Sequence, residues 1–125
     1  MIHRMVLVAV DDLLFSAKIR ATAKKTGVEL VFARTPEEIL QQARTTQPSL
    51  AIFDLNSAKN DAISTIETMK RDPALAGIRM LGFASHVHTG LIAAARQAGA
   101  DQVLPRSAFA GNLAEILMSS QSTQS

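Results

Sequence analysis

The 125 residues are one domain's worth of chain, and 47% are hydrophobic while only 4% are aromatic, with neither Trp nor Tyr. Such an aliphatic composition excludes base stacking on single-stranded nucleic acid, and the lack of cysteine excludes disulfides, thiolate nucleophiles and cysteine-based zinc sites. The formal charge is only +2 despite a pI near 9.4, and the densest basic group (Lys18, Arg20, Lys24 and Lys25) reads as a solvated helix face, not a phosphate-tracking stripe.

Residues 5–10, MVLVAV, are continuously apolar, the pattern of a strand buried on both faces of a parallel sheet. The run stops at Asp11-Asp12, too early for a secretory signal, and nothing in the chain approaches the roughly 20 apolar residues of a membrane span. A cytoplasmic location without membrane or nucleic-acid partners is therefore expected. A helix follows, with Leu14, Phe15, Ala17, Ile19, Ala21 and Thr22 at three-to-four spacing, and Gly27 is placed to cap it. Residues 28–33 read as a second strand. Thr35, Pro36 and Glu38 form a helix start with a cap, a proline in the first turn and a capping-box acid.

That second helix carries Ile39, Leu40 and Ala43 and fades before Pro48. Leu50 to Phe53 is a third buried strand ending at Asp54, and a polar loop from Asn56 to Asn60 leads to a helix with Ile63, Ile66 and Met69. Asp72-Pro73 ends that helix. Ile78 to Phe83 is a fourth strand, Ser85 to Gly90 a loop, and Leu91 to Ala98 a helix stopped by Gly99. Val103-Leu104 is a short fifth strand, and Asn112 to Met118 form a last helix facing Leu113, Ile116 and Leu117 inward. Met69, Met80 and Met118 are expected as core filler. Residues 1–118 form the domain, and the polar tail 119–125 is expected to be frayed.

Alternating strands and helices with short loops give right-handed crossovers and a parallel sheet covered on both faces. Ligands of such sheets bind beyond the carboxyl ends of the strands. Polar residues gather there: Asp11 and Asp12 after the first strand, Asp54 at the third, Ser85 and His86 after the fourth, Arg106 after the fifth. Three carboxylates brought to one edge repel, so each must be solvated, neutralised or raised in pKa. The plainer account of Asp11 and Asp12 is a helix cap with a first-turn acid, and of Asp54 a strand-end turn residue.

At these residues the chain resembles a response-regulator receiver domain, over residues 4 to 118. Paired acids after the first strand are matched by Asp11 and Asp12 in VAVDD, and the phosphoacceptor by Asp54 in LAIFDLN. The closing segment is Gly99-Ala100-Asp101 through Pro105-Arg106-Ser107-Ala108-Phe109. The resemblance implies an α/β, doubly wound, flavodoxin-like sheet of order 2-1-3-4-5 with five helices. It also implies Mg²⁺ held by Asp12, Asp54, Asp11 through water and the Asn56 carbonyl, with Asp54 taking a phosphoryl group from a donor histidine.

The departures matter for function. The hydroxyl position at the end of the fourth strand aligns with Ala84, with Ser85 one place later; the phosphate-binding Lys is Arg106, and the aromatic switch is Val103. The Met-Pro that commonly follows the acceptor loop is Ser57-Ala58. Arg106 either replaces the Lys or locks Asp54 in a permanent ion pair. The expectation is a stand-alone, atypical receiver-like module acting by protein contact, not an enzyme, with phosphorylation weak or absent. Its partners would be a histidine kinase, a downstream regulator, or a second copy through the fourth-helix, fifth-strand, fifth-helix face. The alternatives are a competent Mg²⁺-dependent phosphoacceptor in a phosphorelay and a small hydrolase using the acids with His86. His86 and His88 could also ligate a metal or tune the acids, although loop histidines are commonly incidental.

Overall fold

A computed structural model describes residues 5–57, 59–85 and 89–119. His86, His88, Ala58 and the tail beyond Ser119 lie outside them. The elements run β1 Met5–Ala9, α1 Leu13–Thr26, β2 Glu29–Phe32, α2 Pro36–Thr46, β3 Leu50–Asp54 and α3 Ala62–Arg71. They continue with β4 Arg79–Ala84, α4 Thr89–Ala98, β5 Gln102–Pro105, α5 Arg106–Gly111 and α6 Leu113–Ser119. All strand pairs are parallel, in the order β2-β1-β3-β4-β5.

Continuous apolar runs become central strands because both faces of the sheet are covered. In β3, Leu50 to Asp54 are all buried, with Ala51 and Phe53 on one face and Leu50 and Ile52 on the other. The first face meets Ile39 and Ala43 of α2, Ile66 and Met69 of α3, and Ala95 and Ala98 of α4. The second meets Ile19 and Ala23 of α1, Phe109 of α5, and Leu113, Ile116 and Leu117 of α6.

Local chemistry sets the helix ends. The Asp12 carboxylate accepts the Phe15 N–H at 3.0 Å and starts α1, and Gly27, at φ 75°, closes it in the left-handed region where a Cβ would be strained. Thr35 Oγ1 accepts the Glu38 N–H at 3.2 Å, and the Glu38 carboxylate reaches back to the Arg34 N–H at 2.9 Å.

The expected doubly wound sheet of order 2-1-3-4-5 is present, and among the described residues the last helical segment is divided in two, giving six helices: the chain enters α5 directly from β5 and breaks at Gly111-Asn112, two poor helix formers, before α6. One expectation needs correction. Met118 is not core filler, because it is 54% exposed on the outer side of α6, while Met69 and Met80 are fully buried. No helix among the described residues is long and apolar enough to cross a membrane.

Candidate functional site

Since every strand is parallel, the carboxyl ends of β1, β3, β4 and β5 share one rim of the sheet. Asp54 closes a wholly buried strand, and its side chain is 7% exposed. Its Oδ1 accepts the Asn56 N–H at 3.0 Å and lies 3.7 Å from Arg106 Nη2. Burial pushes the Asp54 pKa up; the Asn56 N–H and the Arg106 guanidinium pull it back, while the charges of Asp12 and Asp11 add to the rise.

Arg106 leads off α5 at the end of β5, and its Nη1 lies 3.8 Å from Asp12 Oδ2. One guanidinium thus spans the acid that caps α1 and the acid that ends β3. Its carbon sits 5.3 Å from the Phe15 ring centre and 5.6 Å from that of Phe83. Phe83 in turn stacks on Phe109 with centroids 4.4 Å apart, and Phe15 meets Phe83 edge-on at 5.2 Å. Three aromatic rings from α1, β4 and α5 thereby form an apolar seat that favours a weakly hydrated, planar cation. The ion-pair distances exceed hydrogen-bond range, so the guanidinium compensates charge without spending its N–H donors on the acids.

Asp11 turns elsewhere. Its Oδ1 is 3.7 Å from Arg34 Nε and its Oδ2 is 3.5 Å from Lys59 Nζ. The three acids are therefore matched by three bases: Arg106, Arg34 and Lys59. Among the described residues no three His, Asp or Glu side chains converge as a metal-ligating group.

The Asn56 amide oxygen accepts the Ser85 N–H at 2.9 Å and ties the loop after β3 to the one after β4. An open cleft of about 480 Å³ lies beside Arg106, lined by Phe15, Asn56, Ser85, Ser107 and Ala110. Ala84 is fully buried, so Ser85 is the residue that shares this cleft with the guanidinium. Val103 is buried in β5 and belongs to the core under α4, away from the acids. Asp101 has a structural task at the other end of the sheet: its carboxylate accepts the Met80 N–H at 2.8 Å and pairs with Lys70 Nζ at 3.2 Å.

Sequence reasoning missed Asn60. This residue is 1% exposed, and its amide nitrogen donates to Ala9 O at 3.0 Å and Asp54 O at 3.1 Å, stapling the ends of β1 and β3. Its Oδ1 is buried without a partner among the described residues. Arg34 and Lys59 were missed too, because only the folded rim reveals that they face Asp11. Phe15 could have been found: an aromatic residue three positions after a capping acid, at the ligand edge of a parallel sheet, is placed to flank the site.

No protein-family model matches the sequence, and no curated protein matches it either. Solved structures do match in shape. A response regulator from Hahella chejuensis superposes with a TM-score of 0.84 at 19% identity, covering 96% of each chain. The chemotaxis response regulator CheY4 of Vibrio cholerae gives 0.81 at 16% identity over 95% of this chain and 99% of that one. The Mn²⁺-bound response regulator Rcp1 gives 0.74 at 18% identity over 98% and 97%. In strand order, in the covering of both sheet faces and over nearly its whole length, this chain has the CheY-like fold of response-regulator receiver domains.

Proposed function

We propose that the protein is a receiver-fold signalling module that works by protein contact, with Arg106 as the resident counter-ion of its acidic rim and phosphorylation of Asp54 weak or absent. One observation carries this reading: a single guanidinium faces Asp12 at 3.8 Å and Asp54 at 3.7 Å while seated on Phe15 and Phe83. A carboxylate as buried as Asp54 is costly without a compensating cation, and Arg106 supplies it permanently.

The residues present do not fit Mg²⁺ as arranged. A hard dication would have to displace Arg106 from Asp12 and Asp54, and Asp11 is held outward by Arg34 and Lys59. The module carries no catalytic constellation in this reading, since the cleft beside Arg106 presents hydroxyls and an amide without a base paired to a nucleophile among the described residues. Its partners are proteins.

The test is incubation with Mg²⁺ and a small phosphodonor followed by intact-mass measurement. The mass is expected to stay that of the unmodified chain; a stoichiometric phosphate adduct on Asp54 overturns the proposal and makes the protein a competent phosphoacceptor.

A further inference from the structure

The two edge strands of the sheet, β2 and β5, are not alike. Strand β5 closes on Pro105, which has no N–H to offer a further strand. Strand β2 has no such guard: it holds unbroken register with β1, contains no proline, and carries its one charge, Glu29, at the start. The Ala33 N–H donates to Val8 O at 3.1 Å, so by the alternation of a strand Glu29 and Val31 also turn their backbone groups toward β1. Leu30 and Phe32 therefore present N–H and C=O outward, at an edge that no further strand covers among the described residues.

The surroundings of that edge select an occupant. The side chains of Leu30 and Phe32 are only half-buried on the α1 face of the sheet. With Arg20, Ala23, Lys24 and Val28 they line an open cleft of about 340 Å³. Arg20 and Lys24 are both exposed; the Arg20 guanidinium carbon sits 4.3 Å from the Phe32 ring centre, and no carboxylate pairs with either cation among the described residues. Four residues of α1 separate the two cations, a rise of about 6 Å. Two residues of an extended strand span about 6.6 Å. Carboxylates at alternate positions of an added strand thus match Arg20 and Lys24 while its backbone meets Leu30 and Phe32, and the intervening side chains fall beside Val31 on the other face. A second copy paired edge to edge would bring its own Arg20 and Lys24 onto the same face, so like charges oppose that arrangement.

We infer, on the reading of the molecule as a contact module, that the β2 edge beside Arg20 and Lys24 is the docking site for an extended acidic segment of a partner protein, which joins the sheet as a sixth strand. The resemblance put the contact face at the fourth helix and fifth strand, which is the opposite edge of the sheet.

The probe is a capped peptide of about eight residues that alternates valine and glutamate, titrated into the ¹⁵N-labelled chain. Amide shifts are expected along β2 and over Arg20 to Lys24, with slower hydrogen exchange at the Leu30 and Phe32 amides. Only alternate amides of an added strand face the sheet, so N-methylation of one alternating set should weaken binding at least about tenfold and methylation of the other should leave it within about threefold. The double variant Arg20→Glu, Lys24→Glu should reject this peptide and accept its glutamate-to-lysine counterpart. Both positions are exposed, so its spectrum should stay that of a folded chain. Failure of the acidic peptide to bind, equal binding of the basic one by the parent, equal effects of the two methylation patterns, or shifts confined to α4 and β5 would each overturn the inference. So would a dimer in sedimentation equilibrium that protects the Leu30 and Phe32 amides, or cosedimentation with phosphatidylserine vesicles in place of peptide binding. None of these readouts depends on Asp54 chemistry. A phosphate adduct in the mass experiment would leave the edge assignment standing, and a peptide that does not bind would leave Arg106 as the counter-ion of the rim.

Discussion

A buried carboxylate and the cation assigned to it make opposite demands, and Asp54 shows which one wins. Burial raises its pKa above the ordinary 3.8 in spite of Arg106 and the Asn56 N–H. The folded chain therefore holds this proton more tightly than the unfolded chain. Stability from Asp54 is full below the unfolded value and declines as pH rises through the folded one. Asp54→Asn, which keeps an acceptor for the Asn56 N–H, should melt higher than the parent at pH 7, with the gap closing as pH falls toward 4. A gap that widens on acidification would refute this, and thermal denaturation across that range decides it. Asn60 acts by hydrogen bonding alone. Truncation in Asn60→Ala strands the Ala9 and Asp54 carbonyls and should cost about 2 kcal/mol in a denaturant melt. Leucine there should not recover the loss, since volume is not what the residue contributes.

Among the elements, those with the strongest sequence pattern were the most legible. MVLVA and LAIFD are strands because a two-faced sheet needs uninterrupted apolar residues, and the caps at Asp12, Thr35 and Gly27 fall where their chemistry requires. Helix α5 was not legible. Within Arg106 to Gly111 only Phe109 is buried, so there is no stripe to read, and Pro105 precedes the helix without a side-chain cap. The rim acids could be placed from strand ends, whereas burial of Asn60 in a polar loop has no one-dimensional signature. Glycines at two helix ends give a contrast of sign. Gly27→Ala must hold φ 75° and should lose about 1 kcal/mol. Gly111→Ala meets nothing within 4 Å, carries no positive φ, and should gain roughly 0.5–1 kcal/mol by favouring helix across the α5–α6 junction. Chemical denaturation of both variants tests the pair.

At the scale of the whole molecule, one layer of helices carries the rim's cation seat. Helices α1, α5 and α6 share one face of the sheet and one apolar cluster, and Phe15 of that cluster's edge carries the Arg106 guanidinium on its ring. Millimolar Mg²⁺ should shift the Tm of the parent chain by less than about 1 °C, because a ligand without affinity for the folded state adds no stability. Arg106→Ala removes the compensating charge between Asp12 and Asp54, and the same Mg²⁺ should then raise Tm; equal responses of the two proteins would contradict the counter-ion assignment. The aromatic seat has an optical consequence. With no Trp or Tyr in the chain, near-ultraviolet circular dichroism comes from phenylalanine alone, and three of the five phenylalanines are Phe15, Phe83 and Phe109, in mutual contact beside the guanidinium. The protein thus holds an unlabelled chiral reporter at its rim: displacement of Arg106 from those rings should alter the fine structure of that spectrum while the far-ultraviolet signal of the helices stays unchanged.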